Sequence, residues 1–292
     1  MNLKPRLLVV AGVAMLAMVP AFAQESKQEA APSAGFDFVR GVGDTFGYSI
    51  NDSSGPLCNY DFIDISGTGA AVASGDDTAS APLNLAVPFN LYGTDYTQLV
   101  MATNGYLSTD PADTGPDLSN DCPLPAVPST PAPPGGGARI YPMHDDLVTS
   151  NGYFEYFASC PRPSDQFPSL NLGCNVFQWS GVTHFGGADT WEFQVILYDG
   201  SFEIVFQHGA GNTEAGSGST TGIQNDGATD GLTYACDSAA SVADNTAQCF
   251  VHPAPIVSAA PPVSVPTSNR WGILMMLAAF ALLAFGQLRA RP

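Results

Sequence analysis

WEFQVILYDGSFEIVFQH, residues 191–208, holds two runs of β-favouring residues about a single Asp-Gly pair. Asp199-Gly200 suits a two-residue type I′ hairpin turn, in which both central residues take positive φ. That turn pairs Tyr198 with Ser201, Leu197 with Phe202, Val195 with Ile204 and Phe193 with Phe206, leaving His208 opposite Trp191. One side of the ribbon is then apolar. The other pairs Ile196 with Glu203, Gln194 with Val205 and Glu192 with Gln207. Such a mixture points to a half-exposed face.

Other short segments have the same character: FDFV, YDFIDI, LNLAVPFNLYG, YTQLVMATNGYL, NGYFEYF and NVFQWSGV. Each is rich in Phe, Tyr, Val or Ile and is bounded by Gly, Asn, Asp or Pro, while no long segment keeps the 3.6-residue period of an amphipathic helix. Many short strands with frequent turns predict an all-β domain, an antiparallel β-sandwich or a curved pair of sheets. CPLPAVPSTPAPPGGGA (122–138) is too rich in Pro and Gly for a strand and reads as a long surface loop of polyproline character.

The ends of the chain place the domain. Lys4 and Arg6 precede an apolar run from Leu7 to Val19 and the small-x-small sequence Ala21-Phe22-Ala23. This is the layout of a secretory signal peptide (1–23), with cleavage expected after Ala23. A polar leader (24–35), one β-domain (36–252) and a Pro/Ala-rich spacer (253–264) follow. The segment 265–292 then carries an uncharged run from Trp271 to Leu288. At 1.5 Å per residue that run spans roughly 27 Å, about one hydrocarbon core. Arg289 and Arg291 come after it, so the basic end is expected in the cytoplasm and the domain outside.

Six cysteines (Cys58, Cys122, Cys160, Cys174, Cys236 and Cys249) lie in the exported part. Their even number fits an oxidising compartment and a disulfide framework. The spacings favour Cys160 with Cys174 and Cys236 with Cys249, leaving Cys58 for Cys122. A zinc cluster is the competing reading, but no pair is spaced C-x2-C. From Gln24 to Ser264 there are 27 acidic residues against four basic ones (Lys27, Arg40, Arg139 and Arg162), a balance of −23. Such a surface disfavours nucleic acid and anionic lipid as partners. It serves solubility first, with divalent-cation binding as the alternative.

In order along the chain come Phe89-Asn90-Leu91-Tyr92-Gly93, Thr103-Asn104-Gly105-Tyr106-Leu107, IYPMHDDL (140–147), Phe177-Gln178-Trp179, Phe193-Gln194-Val195-Ile196-Leu197 with its hairpin, and Thr221-Gly222-Ile223-Gln224-Asn225. That order, over about residues 75–226, resembles nidogen-like extracellular domains, with Met143-His144 where those domains tend to have aromatic residues. The resemblance implies an adhesive or matrix module with no shared catalytic residues. The residues themselves agree, since neither G-x-S-x-G nor H-E-x-x-H occurs. Of the histidines, His208 reads as a hairpin end, His184 as a turn residue and His252 as the opening of the spacer.

His144-Asp145-Asp146 is the one compact group of ligand-type residues. It reads first as a strand end whose carboxylates accept turn hydrogen bonds. Asp145 and Asp146 are weak candidates for a cation site, which would need oxygens from Asp76-Asp77 or Asp226 to reach the six to eight that Ca²⁺ takes. The expectation is a fold that requires no cofactor and no divalent cation.

The closing segment, Val265-Pro266-Thr267 followed by Trp271-Gly272, an apolar run and terminal arginines, resembles the IPTL-CTERM sorting signal of Gram-negative bacteria. Ser268, Asn269 and Arg270 stand where that signal has Leu, Ser and Glu. The resemblance implies handling by an exosortase-like transpeptidase of the inner membrane. The whole reads as an exported, membrane-anchored, non-enzymatic β-domain that meets an extracellular ligand. The alternative is a secreted Ca²⁺-dependent carbohydrate-binding module or hydrolase.

Overall fold

The computed structural model describes residues 43–120, 122–128 and 137–257. The signal peptide, leader, FDFV segment and sorting tail, with most of the spacer, lie outside the described residues. The described strands are β1 (Ser49–Asp52), β2 (Ala70–Asp76), β3 (Leu83–Leu91), β4 (Thr94–Ala102), β5 (Tyr106–Ser108), β6 (Arg139–His144), β7 (Leu147–Phe157), β8 (Cys174–His184), β9 (Trp191–Tyr198), β10 (Ile204–His208), β11 (Thr220–Gln224), β12 (Gly231–Cys236) and β13 (Thr246–Val251). They form a seven-stranded sheet, β1-β13-β10-β9-β8-β7-β2, and a six-stranded sheet, β12-β11-β6-β5-β4-β3. Every pairing is antiparallel. The all-β architecture expected from the short, punctuated strands is the one observed.

The core lies between the sheets. Phe177 and Trp179 (β8), Phe193, Val195 and Leu197 (β9), Ile204 and Phe206 (β10) and Phe250 (β13) meet Leu99 and Met101 (β4), Leu107 (β5), Ile140 and Met143 (β6) and Ile223 (β11). Trp179 stacks on Phe193 at 5.0 Å and donates its indole N–H to the Ala102 carbonyl at 2.7 Å. That one side chain joins the two sheets.

The hairpin is present with a different turn. Leu197 pairs with Ile204, Val195 with Phe206 and Phe193 with His208, two residues away from the expected register. The loop has four residues, closed by Tyr198 N–H to Glu203 O at 3.1 Å and Phe202 N–H to Tyr198 O at 3.2 Å. Phe202 takes a φ of 56° and leaves the ladder. Its buried ring sits edge-on to Phe89 and His252. Core packing of Phe202 therefore overrides the local Asp-Gly preference. A shift of two keeps every side chain on its expected face, because strands alternate with a period of two.

The second face differs from expectation: it is buried. Gln178, Gln194, Glu203 and Gln207 have no exposed surface. YDFIDI (60–65), expected as a strand, is instead a strap across this outer face. It bonds to side chains: Asp61 N–H to Gln207 Oε1 (2.6 Å), Ile63 N–H to Gln194 Oε1 (3.4 Å) and Ile65 N–H to Gln178 Oε1 (2.7 Å). Those glutamines face one another directly across β8, β9 and β10. The row of amides supplies partners that the strap's main chain would otherwise lack.

The disulfide pairing also needs correction. Cys160–Cys174 forms as expected, but Cys58 joins Cys249 and Cys122 joins Cys236. Sequence proximity fails because a sandwich brings distant segments together: Cys58 at the head of the strap lies over β13, and Cys122 lies over β12. The Pro-rich loop is less exposed at its start than expected, since Leu124 packs on Ala102, Tyr106 and Tyr141. His252, read as opening the spacer, is buried against Phe46, Tyr48 and Phe202.

Candidate functional site

Several turns converge at one end of the sandwich. β2 ends at Asp76, and Asp77 follows with a left-handed φ of 50°. The β4–β5 turn contributes Thr103-Asn104-Gly105, the β6–β7 turn Asp145-Asp146, and β8 ends on His184. Asn104 ties three of these together. Its amide donates to Asp77 Oδ1 (2.8 Å) and to the Asp117 carbonyl (2.9 Å), and its oxygen accepts the Leu147 N–H (3.0 Å). Gly105 follows with φ 74°, and a Cβ there would lie 1.9 Å from the Met143 carbonyl oxygen. Only glycine fits, which gives the Asn-Gly pair a steric reason.

The His144-Asp145-Asp146 group is split by the fold. His144 is fully buried between Tyr106 and Tyr141, with Nδ1 2.8 Å from the Asn104 carbonyl and Nε2 2.8 Å from that of Ser119. Each ring nitrogen faces a main-chain carbonyl, and the neutral imidazole, with one N–H, donates to one of the two. Asp145 Oδ1 accepts the Asp146 N–H at 2.7 Å, and Asp145 Oδ2 lies 3.0 Å from His184 Nε2. The turn hydrogen bond expected of Asp145 is therefore present. His184, expected in a turn, is the last residue of its strand.

Two acidic groups form here: Asp76, Asp77 and Asp146, and Asp145, His184 and Glu214, each with ligand-type atoms within 4.8 Å of one another. Of the oxygens expected to complement Asp145 and Asp146, those of Asp76-Asp77 are brought in. Asp226 is not; it lies exposed near Tyr96. Burial first, and then the neighbouring charges of Asp77 and Asp146, push the Asp76 carboxyl up. Asp237 is pushed up by burial and by Asp145, with the Asn120 hydrogen bond opposing. Of the two, only Asp76, Asp77 and Asp146 make an all-oxygen triad, which suits a hard cation better than a soft one, and their three carboxylates are half or fewer of the six to eight ligands Ca²⁺ takes. Two further groups contain cysteine, Cys58–Asp165–Cys249 and Cys122–Cys236–Asp237. Their sulfurs are bonded in disulfides and are not thiolate ligands.

Reading the residues alone did not find Glu214 or the tying role of Asn104. Asn104 had a signal, the Thr-Asn-Gly-Tyr run, but Glu214 lies in a glycine-rich loop with nothing local to mark it.

The motif positions now have physical roles. Tyr92-Gly93 forms the β3–β4 turn with φ of 51° and 80°, and the Tyr92 hydroxyl donates to Asp44 Oδ2 at 2.7 Å. Asn104-Gly105 and Asp145-Asp146 build the acidic corner, and Thr221–Asn225 supplies all of β11 but its first residue, and the start of the turn after it. A family model described as NIDO related matches residues 47–257. No curated protein and no solved structure matches the chain. The family match spans the two sheets and all three disulfides, and the chain belongs to the NIDO-related family.

Proposed function

We propose that this chain is an exported, surface-anchored β-domain that works by binding, in adhesion or in a surface matrix, and carries out no catalysis. Its closing segment makes it a substrate of an exosortase-like transpeptidase in the inner membrane of a Gram-negative bacterium. The observation that carries this reading is the polarity of the domain. Ile256 N–H donates to Gly200 O at 2.9 Å, so the chain leaves beside the β9–β10 loop. The acidic corner lies at the other end of the neighbouring strand, where β8 finishes at His184 and Val182 pairs with Trp191. β8 has 11 residues, which at about 3.3 Å each separates the two ends by roughly 33 Å. A domain tethered through residue 257 presents the corner away from its tether.

The test is deletion of Val265–Pro292. The truncated domain is expected in the periplasm or medium, folded and with its melting temperature unchanged, and mass spectrometry of the full protein should show both processed termini. Retention of the truncated domain in the membrane, or its aggregation, would overturn the anchoring. The convergence of Asp76, Asp77 and Asp146 favours one second reading, a Ca²⁺-dependent binding module. A Ca²⁺-specific rise in melting temperature at matched ionic strength, lost in Asp146→Asn, would select it over a purely structural corner.

A further inference from the structure

Glu203 sits at the closing pair of the β9–β10 hairpin, on the outer face of the seven-stranded sheet, and has no exposed surface. What covers it is the loop closed by Cys160–Cys174. Ser164 from that loop donates its hydroxyl to Glu203 Oε2, and the Gln166 main-chain N–H also bonds to the carboxyl. The Ser164 oxygen in turn accepts the Phe167 N–H at 3.1 Å, so the same residue shapes the loop and fastens it. Glu203 Oε1, also buried, has no hydrogen-bond partner.

The charged and titratable groups facing Glu203 are few. Asp165 and Arg162 come from the loop and Tyr198 from β9. The segment just ahead of the strap brings Asn59 and the Cys58–Cys249 bond to the same loop, and neither titrates. Arg162 is largely committed elsewhere. Its guanidinium pairs with Asp165, donates to the Tyr198 hydroxyl at 2.9 Å and to the Asn59 carbonyl at 2.7 Å, and leaves only Nε without a partner. An ionised carboxylate needs donors on both oxygens. Here one oxygen has none, and Asp165 stands beside it.

We propose that Glu203 is a proton-operated latch on the Cys160–Cys174 loop: its neutral carboxyl holds the loop down on the outer face, and its ionisation releases the loop. The loop stays closed by its disulfide, so release uncovers Tyr198 and the Cys58–Cys249 bond without unfolding the sandwich. An exported domain would thereby carry a face whose cover depends on external pH.

The direction follows from linkage. Burial is the main cause that pushes the Glu203 carboxyl up to about 7; Asp165 adds to it, while Ser164, Arg162 and Gln166 oppose. In the released loop it returns toward the ordinary carboxylate range. The latched state therefore binds the proton more tightly, and the latch is strongest below that ordinary range. It weakens as pH rises toward 7 and is fully weakened above 7.

Hydrogen exchange of the full exported chain, corrected for intrinsic rates, tests this at the amides of residues 164–172. Protection of these amides is expected to fall at least tenfold from pH 5 to pH 8, while the core amides of β8 and β9 stay unchanged. In Glu203→Gln the loop's protection should be flat across that range. If that variant does not fold, carbon NMR of the wild-type Glu203 carboxyl must titrate with the same midpoint as the loop amides. Flat protection in the wild type, an unaltered pH dependence in Glu203→Gln, or a mismatch of midpoints would overturn the latch. Flat wild-type protection is also what pairing of the ionised carboxylate with Arg162 Nε would give.

Discussion

The two faces of the seven-stranded sheet are built from the same strands and obey different rules. The inner face, with Phe177, Trp179, Phe193, Val195, Leu197, Ile204, Phe206 and Phe250, is held by burial of large apolar side chains. The outer face mixes Val176, Ile196, Tyr198 and Val205 with Gln178, Gln194, Glu203 and Gln207, and is equally dry. Its cover is a strap and a loop, fastened by two disulfides and a row of glutamines. Polar side chains on alternate positions of a strand therefore do not imply water. They can equally be the partners of main chain laid across the sheet.

The sharpest break in this contrast is expected on the inner face. Trp179→Ala removes a fully buried indole and the hydrogen bond that ties β8 to the six-stranded sheet. Truncations of this kind cost about 4 kcal/mol. Denaturant melts should show that loss as a lower midpoint of one global transition. If the outer face alone loosens, the assignment of Trp179 to the joint between sheets is wrong.

On the outer face, Cys58→Ser with Cys249→Ser removes a bond that closes a separation of 191 residues. A loss of about 3 kcal/mol is expected, mainly through the freer unfolded chain. The distinguishing result is local: amides of residues 59–65 should lose exchange protection beyond this global loss, while those of β8 and β9 should not. Equal loss across both faces would mean that the strap is integral to the core.

The faces also carry titrations of opposite sign. His208, fully buried on the inner face beside Phe193, has its imidazole pushed down to about 4 by burial, against an ordinary value of 6.5. Stability from the neutral ring is present above pH 6.5 and is lost as pH falls toward 4. Glu203 on the outer face acts in the opposite direction over nearly the same range. The wild-type profile should therefore be flatter than either group alone would give. Comparison with His208→Gln isolates the histidine's contribution. Between pH 7 and pH 5 the wild type should lose about 2 kcal/mol relative to that variant, since one proton bound only by the unfolded chain changes stability by about 1.4 kcal/mol for each step of one in pH. Parallel profiles would show that His208 does not titrate against folding.

How much of this could be read beforehand depended on which residues were in contact. The inner face was legible because an alternating apolar pattern needs no partner to be recognised. β3, β4, β7, β8 and the β9–β10 pair, the sorting of hairpin side chains between the two faces, and Cys160–Cys174 share that local character. The hairpin register was not legible, because Phe202 leaves the ladder to meet Phe89 and His252, far away in sequence. The other two disulfides, the strap and the pairing of Asp145 with His184 likewise join segments that only the folded sheets bring together. The acidic corner was half legible: Asp145-Asp146 and Asp76-Asp77 stood out as pairs, whereas Glu214 did not.

The finest test of the contrast lies within the glutamine row. Gln207 exchanges two hydrogen bonds with Asp61, accepting its N–H at 2.6 Å and donating to its carbonyl at 2.7 Å. Gln178 accepts from Ile65 at 2.7 Å, whereas Gln194 accepts from Ile63 at 3.4 Å, near the limit of a useful bond. Replacing any of the three by Leu keeps the volume roughly constant and removes the amide oxygen that accepts from the strap, together with the amide nitrogen, which in Gln178 donates to Asp64 and Glu192 at 3.2 Å each. The cost then depends on what is orphaned. Ile65 is fully buried, so its N–H loses its partner with no water to replace it; a loss of about 1 kcal/mol or somewhat more is expected for Gln178→Leu. Gln207→Leu orphans two groups rather than one, but they lie on an exposed Asp61 that water can reach, so a similar loss is expected. Gln194→Leu should be close to neutral, since the long bond is worth little and the Gln194 amide nitrogen is itself buried without a partner. Chemical melts of the three single variants give the ranking, and exchange at the Ile65 amide locates the largest effect. Three equal losses would mean that the row acts only as packing volume, and that the strap is held by its disulfide alone.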